Sequence, residues 1–216
     1  MTEIVKFKNS QSLRSFDKMV DTMQQKKMIR KNKMEKGLSL IEASMVLALS
    51  AIVVSGVMFY YQSASDSNKT QNTVSQVMSV MSAINGLYVG QASYTGLSDT
   101  VLYNSSAVPT NYKVSPGVIN NPFGGRLHVA PNTDPSGGYA LLLDGVPQSS
   151  CVNIASMNLG TSLQGVGVGK NLMNRTDPTV KLKASTNGAV HSGTLTPAKA
   201  ATLCTDETNS ITFLMK

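Results

Sequence analysis

The sequence predicts an α+β fold: one long N-terminal helix, its first half membrane-spanning, whose second half packs against a sheet of short strands. Three observations predict it. Residues 38–61, LSLIEASMVLALSAIVVSGVMFYY, are apolar apart from one carboxylate. Val74, Val77, Met78, Met81, Ile84 and Tyr88 then recur at spacings of three and four, which is one face of a helix. Beyond residue 120, short apolar or alternating runs are bounded by Gly, Pro and Asn, the punctuation of strands.

The chain starts basic. Of 19 Lys and Arg and 12 Asp and Glu, ten basic and four acidic residues lie within residues 1–37. That leaves nine and eight for the rest, so the leader carries +6 and the body +1. The apparent pI of 9.4 is therefore a property of the leader. A nearly neutral body lacks the phosphate-neutralising surface that nonspecific nucleic-acid binding requires.

The apolar run comes next. As a helix rising 1.5 Å per residue it is long enough to cross a hydrocarbon layer of roughly 30 Å. Lys26, Lys27, Arg30, Lys31, Lys33 and Lys36 precede it, and Asp66 and Lys69 are the first charges after it. The positive-inside rule then keeps the N-terminus cytoplasmic and puts everything after Tyr61 outside the inner membrane. Tyr60 and Tyr61 suit the outer interface. A secretory signal peptide cut near Ser63-Ala64-Ser65 and a simple single-pass anchor both compete with a specialised segment. Neither accounts for Glu42, because an unpaired carboxylate in the bilayer costs several kcal/mol.

After the membrane, the helix is expected to continue to about residue 89, its Met-rich stripe serving as core. Residues 91–125 are rich in Ser, Asn, Gly and Tyr with little periodicity and read as a loop over the sheet. Strands are expected at Arg126–Val129, Tyr139–Leu143 and Ser210–Leu214, with a hairpin of 180–185 and 189–192 about Thr186-Asn187-Gly188. Asp134-Pro135-Ser136-Gly137, Asp144-Gly145 and Asp177-Pro178 read as turns. Ser149-Ser150 can cap a short helix from Cys151 to about Asn158. Thr196-Pro197 starts another that reaches about Cys204. The chain's two cysteines, Cys151 and Cys204, both fall on the side where disulfides persist. A bond would close a loop of roughly 54 residues, worth about 4 kcal/mol in the chain-entropy model; two unpaired buried thiols are the other reading.

No catalytic constellation stands out. His128 and His191 have no acidic or Cys companions at metal-ligand spacing, so core or solvated histidines are the simpler reading. Gly165-Val166-Gly167-Val168-Gly169-Lys170 resembles a phosphate loop only superficially, since Gln164 stands where a glycine is needed and Asn171 follows the lysine. The chain is expected to be no enzyme and to carry no metal or cofactor.

Gly37-Leu38-Ser39-Leu40-Ile41-Glu42 resembles the processing site of the type IV pilins. The resemblance implies cleavage by a prepilin peptidase after Gly37, methylation of the new amine on Leu38, and a filament in which Glu42 pairs with a neighbour's amine and sets register. The long leader, Leu38 as first mature residue, and Phe59 where the other branch has a helix-kinking Pro point to the type IVb branch; Met28 or Met34 is an alternative start for so long a leader. Ser82 to Gln91, Asn121-Pro122-Phe123-Gly124-Gly125, Asn158 to Ser162, Thr196-Pro197-Ala198 and Phe213 to Lys216 are similar to the major subunits of bundle-forming pili. The likeness covers most of residues 36–216 and is least at 163–195. It implies a leader of 1–37, a hydrophobic transmembrane and assembly helix of 38–65, and a head of 66–216 with an antiparallel sheet and a Cys151–Cys204 disulfide. It further implies an inner-membrane precursor that becomes a surface filament of identical subunits mediating adherence and autoaggregation. Its partners would be the peptidase, the pilus assembly machinery and the host-cell surface, with no nucleic acid. A minor pilin or secretion-system pseudopilin, and a membrane-anchored periplasmic enzyme, are the alternatives.

Overall fold

A computed structural model of the chain describes residues 39–170 and 172–216. The expected leader and the Gly37–Leu38 junction lie outside the described residues. Two compact units divide at Ser55, the second being Gly56–Lys216.

Helix α1 is continuous over Leu40–Leu87, a stretch without proline. Gly90, at φ 80°, turns the chain after its last turn. Its buried stripe is Thr73, Gln76, Val77, Val80 and Ile84, with Met81 and Tyr88 packed against the same core, so the predicted face holds at 77, 81, 84 and 88 and is corrected at Val74 and Met78. Residues 73, 77, 80 and 84 follow the helical period, whereas Met78 lies about one residue's rotation off that line and is 47% exposed. Thr73 donates to the Lys69 carbonyl at 2.8 Å and Gln76 Nε2 to that of Asn120 at 2.9 Å, while Gln76 Oε1 is buried without a partner.

Residues 91–125 are more ordered than the sequence suggested. They hold helix α2 (Asp99–Asn104), a 3₁₀ turn at Thr110–Tyr112, and strands β1 (Lys113–Ser115) and β2 (Val118–Asn120). Elements of three to six residues are too short to print a periodicity. Buried Leu97, Leu102, Val108 and Ile119 hold them down.

The remaining strands are β3 (Arg126–Pro131), β4 (Tyr139–Pro147), β5 (Leu163–Val168), β6 (Ala184–Ser185), β7 (Val190–Ser192) and β8 (Thr208–Met215). They form one eight-stranded sheet in the order β1-β2-β3-β4-β8-β5-β7-β6. Every pairing is antiparallel except β6 with β7. That exception overturns the predicted hairpin: Ala184 lies beside Val190 in parallel register. A Cβ on Gly188 would sit 2.2 Å from Ser185 Oγ, so glycine lets the chain double back over the strand it has just left. Asp144-Gly145 is not a terminal turn but a bulge inside β4, where the register with β8 jumps between Leu143 and Val146. The glycine-rich run 165–169 largely falls in β5, and its likeness to a phosphate loop has a packing origin. A Cβ on Gly165 would meet the His191 carbonyl oxygen at 2.4 Å.

Alternation along the strands gives the sheet two apolar faces. Leu127, Val129, Leu141, Leu143, Ile211 and Phe213 join α1 residues Val77, Val80 and Ile84 in the main core. On the other face Ala130, Ala140, Leu142 and Leu214 are covered by Met173, Val180 and Val190. Helix α3 spans Gln148–Ala155, so Ser149 and Ser150 lie inside it rather than capping it, and Pro147 is the N-cap. Helix α4, Pro197–Leu203, begins as predicted, the Thr196 side chain accepting from the Lys199 amide at 3.3 Å.

Candidate assembly site

The N-terminal end of α1 is built from four residues, Ser39-Leu40-Ile41-Glu42. The Ser39 amide donates to Glu42 Oε2 at 3.1 Å, and the Ile41 amide donates to Ser39 Oγ at 3.4 Å. This is a capping box, a serine three residues ahead of a glutamate, each serving amides the helix leaves free. The spacing was readable in the sequence, where Glu42 drew attention only for its charge. A carboxylate in the first turn also complements the positive end of the helix dipole.

Downstream, every large apolar side chain from Leu40 to Tyr61 is more than half exposed. The serines among them are satisfied by their own helix, Ser44, Ser50 and Ser55 donating to the carbonyls of Ile41, Leu47 and Ala51 at 2.8 to 2.9 Å. The serine hydroxyls of the helix are thus satisfied within it, and it is long and apolar enough to cross a membrane. Glu42 is exposed on it, and no cation is among its partners in the described residues.

In the second unit, Cys151 of α3 and Cys204 beyond α4 are disulfide-bonded, with Cα atoms 5.9 Å apart and both residues buried. Helix α3 is tied to α1 by Ser149 Oγ, which donates to Asp66 Oδ2 at 2.9 Å, and by the hydroxyls of Thr70 and Ser150, also 2.9 Å apart. An open groove of about 560 Å³ beside these bonds is lined by Phe59, Gln62, Asp66, Ser149 and Asn153. It gathers no acid, base and nucleophile together. Among the described residues no three His, Cys, Asp or Glu side chains are grouped to hold a metal ion.

One polar cluster escaped the sequence reading. Asp99, at the start of α2, is buried, and its carboxylate accepts three bonds: the Val129 amide at 2.9 Å, Arg126 Nη2 at 3.1 Å and His128 Nδ1 at 2.8 Å. His128 lacks acidic neighbours in sequence yet gains one across 29 residues. No spacing rule joins them; only the alternation that turns Arg126 and His128 to one side of β3 gave a hint. His191 stands apart on β7, with Nδ1 3.2 Å from the Thr186 carbonyl. Further along, Asp144 accepts from Ser210 Oγ at 2.7 Å and pairs with Arg175. Burial opposes its ionisation, but the Ser210 hydroxyl, the Gly145 amide and Arg175 outweigh that and hold its carboxyl below the usual carboxylate range.

Comparison with known proteins supplies a family. The family model described as bundlin matches residues 62–212. Two relatives described as the major structural subunit of bundle-forming pilus, from Escherichia coli O111:H- and Escherichia coli O127:H6 (strain E2348/69 / EPEC), are each 54% identical over 192 residues. Each match covers 87% of this chain and 98% of the relative. Among solved structures, a type IV b pilin from Salmonella typhi is similar at 22% identity and a TM-score of 0.48, over 69% of this chain and 99% of that one. A type IV pilin from Vibrio cholerae El Tor biotype is similar at 18% identity and a TM-score of 0.48, over 68% and 98%.

Proposed function

The chain belongs to the bundlin family, and from that membership we propose that it is the major structural subunit of a bundle-forming pilus, made as a membrane-anchored precursor and polymerised into an extracellular filament. The observation that carries the proposal is 54% identity to two such subunits across 87% of this chain and 98% of theirs. The exposed apolar surface of Leu40 to Tyr61 supports it, because such a surface needs lipid before assembly and other helices afterwards.

Processing would proceed in two steps. A prepilin peptidase removes residues 1–37 by cutting after Gly37, and the amine released on Leu38 is methylated. Residues 38–65 then serve as the transmembrane and assembly helix, and 66–216 as the head. The Ser39–Glu42 cap holds a carboxylate at the end of the helix where that amine is created. In the filament, Glu42 pairs with the cationic end of a neighbouring subunit. A subunit out of register leaves the charge unpaired in an apolar shaft, which is strongly disfavoured, so one ion pair selects one alignment. The assembly machinery extracts the subunit from the inner membrane, and the heads form the surface that mediates adherence to host cells and autoaggregation. Mass spectrometry of sheared filaments tests the reading: N-methylated Leu38 should be the N-terminus of their most abundant protein. An N-terminus near Asp66, or only trace amounts of this chain in the filaments, overturns it.

A further inference from the structure

Between β5 and β6 the chain crosses the sheet face opposite α1. It is fastened at two buried points, Met173 and Val180. At the second, the Val180 amide donates to the Pro131 carbonyl at 3.0 Å and the Thr133 amide to the Val180 carbonyl at 2.8 Å. Between those points lie Asn174 to Thr179, none of which is buried. Asn174 and Asp177 bond to each other, which shapes the loop without fastening it. Two contacts reach down from it: Arg175 to Asp144, and the Asp177 carbonyl to His128 Nε2 at 3.0 Å.

The second contact depends on a proton. His128 presents Nδ1 to Asp99 Oδ2 and Nε2 to a backbone carbonyl. Asp99 already accepts from the Val129 amide and Arg126, as an ionised carboxylate does, and a carbonyl can only accept. Both contacts are hydrogen bonds together only when the ring carries both protons. With one proton gone, the ring keeps its donor toward Asp99 and turns a lone pair toward the Asp177 oxygen. The groups around it are Asp99 from α2, Arg126 on the same strand, and Arg175 and Asp177 from the crossing segment; the β4 residue opposite is uncharged Leu142. Arg126 opposes the imidazolium charge and Asp99 offsets it.

We propose that residues 174–179 form a pH-gated flap on the head, latched from beneath by doubly protonated His128 and released when the ring loses its Nε2 proton. The latch therefore holds at the acid end and is lost once the ring gives up its second proton as pH rises. The Arg175–Asp144 tie has the opposite sense. Asp144 stays ionised until well into acid, so that tie persists through mild acidity and fails only below it. The flap is therefore doubly held in mild acid and singly held above neutrality.

The test is hydrogen exchange of the full chain in detergent micelles at pH 5.5 and pH 8, corrected for the intrinsic pH dependence of exchange. Protection of the Asn174 and Asp177 amides, the two bonded within the flap, should fall about tenfold at the higher pH, the equivalent of one charge-assisted hydrogen bond, while β4 amides stay constant. In His128→Gln the step should vanish; in Arg175→Gln it should grow. Should His128→Gln not fold, imidazole ¹⁵N shifts of the wild-type chain decide: two N–H nitrogens at pH 5.5 and a bare Nε2 at pH 8 support the latch. Equal protection at both pH values, a step retained in His128→Gln, or one unchanging tautomer overturns it.

Discussion

Replacing Asp99 with alanine removes a single acceptor that three donors share, so its cost can be worked from the contacts. Asp99 is 5% exposed, and its oxygens receive the Val129 amide, Arg126 and His128. Water cannot readily replace them there. Arg126 is left with a charge whose remaining acceptor is the Gly117 carbonyl at 2.7 Å, and its Nε already has no partner. Breaking a buried pair by deleting one member costs about 3 to 5 kcal/mol. For a chain of this size, that is a fall of about 6 to 20 °C in midpoint. Asparagine should recover only about 1 kcal/mol, because it rebuilds the Val129 bond while turning an NH₂ toward two other donors. Near-ultraviolet circular dichroism at pH 6 suits the assay: there is no tryptophan, and Tyr88, Tyr94 and Tyr139 stack at 4.8 to 5.3 Å within the head's packing. An alanine variant within about 1 kcal/mol of wild type, or an asparagine variant as stable as aspartate, would refute the assignment of the cluster as a buried ionic tie.

Other substitutions probe other levels. Cys151→Ala with Cys204→Ala should lower urea stability by about 4 kcal/mol, the loop-closure value for a separation of 53 residues, and equal midpoints would contradict it. Ile84→Ala, at a wholly buried position of α1, should cost about 2 to 5 kcal/mol in the same measurement. Gly138→Ala should prevent native folding, since a Cβ there would lie 1.8 Å from the Met215 carbonyl oxygen at a φ of 87°; a soluble, native-like variant would argue against that packing. Glu42→Ala should still yield a processed chain by mass spectrometry yet few filaments on shearing, and normal filament yield would remove Glu42 from assembly.

What the sequence made legible follows from how far apart the cooperating residues are. The apolar run, the continuation of α1, the Thr196-Pro197 helix start and the alternation of β8 are local patterns and appear within a residue or two of their expected limits. Elements that are very short or poor in side chains were missed or misread. β1, β2 and β6 are two or three residues long and owe their form to a neighbour, and β5 is so rich in glycine that it resembled a loop. Ser149 and Ser150 were mistaken for caps because their partners, Asp66 and Thr70, are some eighty residues earlier. The same holds at the candidate sites. Glu42 announces itself as a charge in an apolar run, whereas the Asp99–His128 pair, 29 residues apart, leaves only the alternation of β3 as a hint.

The order of strands sets a timetable for the molecule's birth. β8, which follows both in the chain, lies between β4 and β5 and pairs with both. Until β8 arrives, those two strands hold raw edges toward each other with nothing between them, a template for any stray strand nearby. The sheet must therefore wait for β8 before it can close, and a chain that loses β8 loses the keystone of its sheet rather than a fringe.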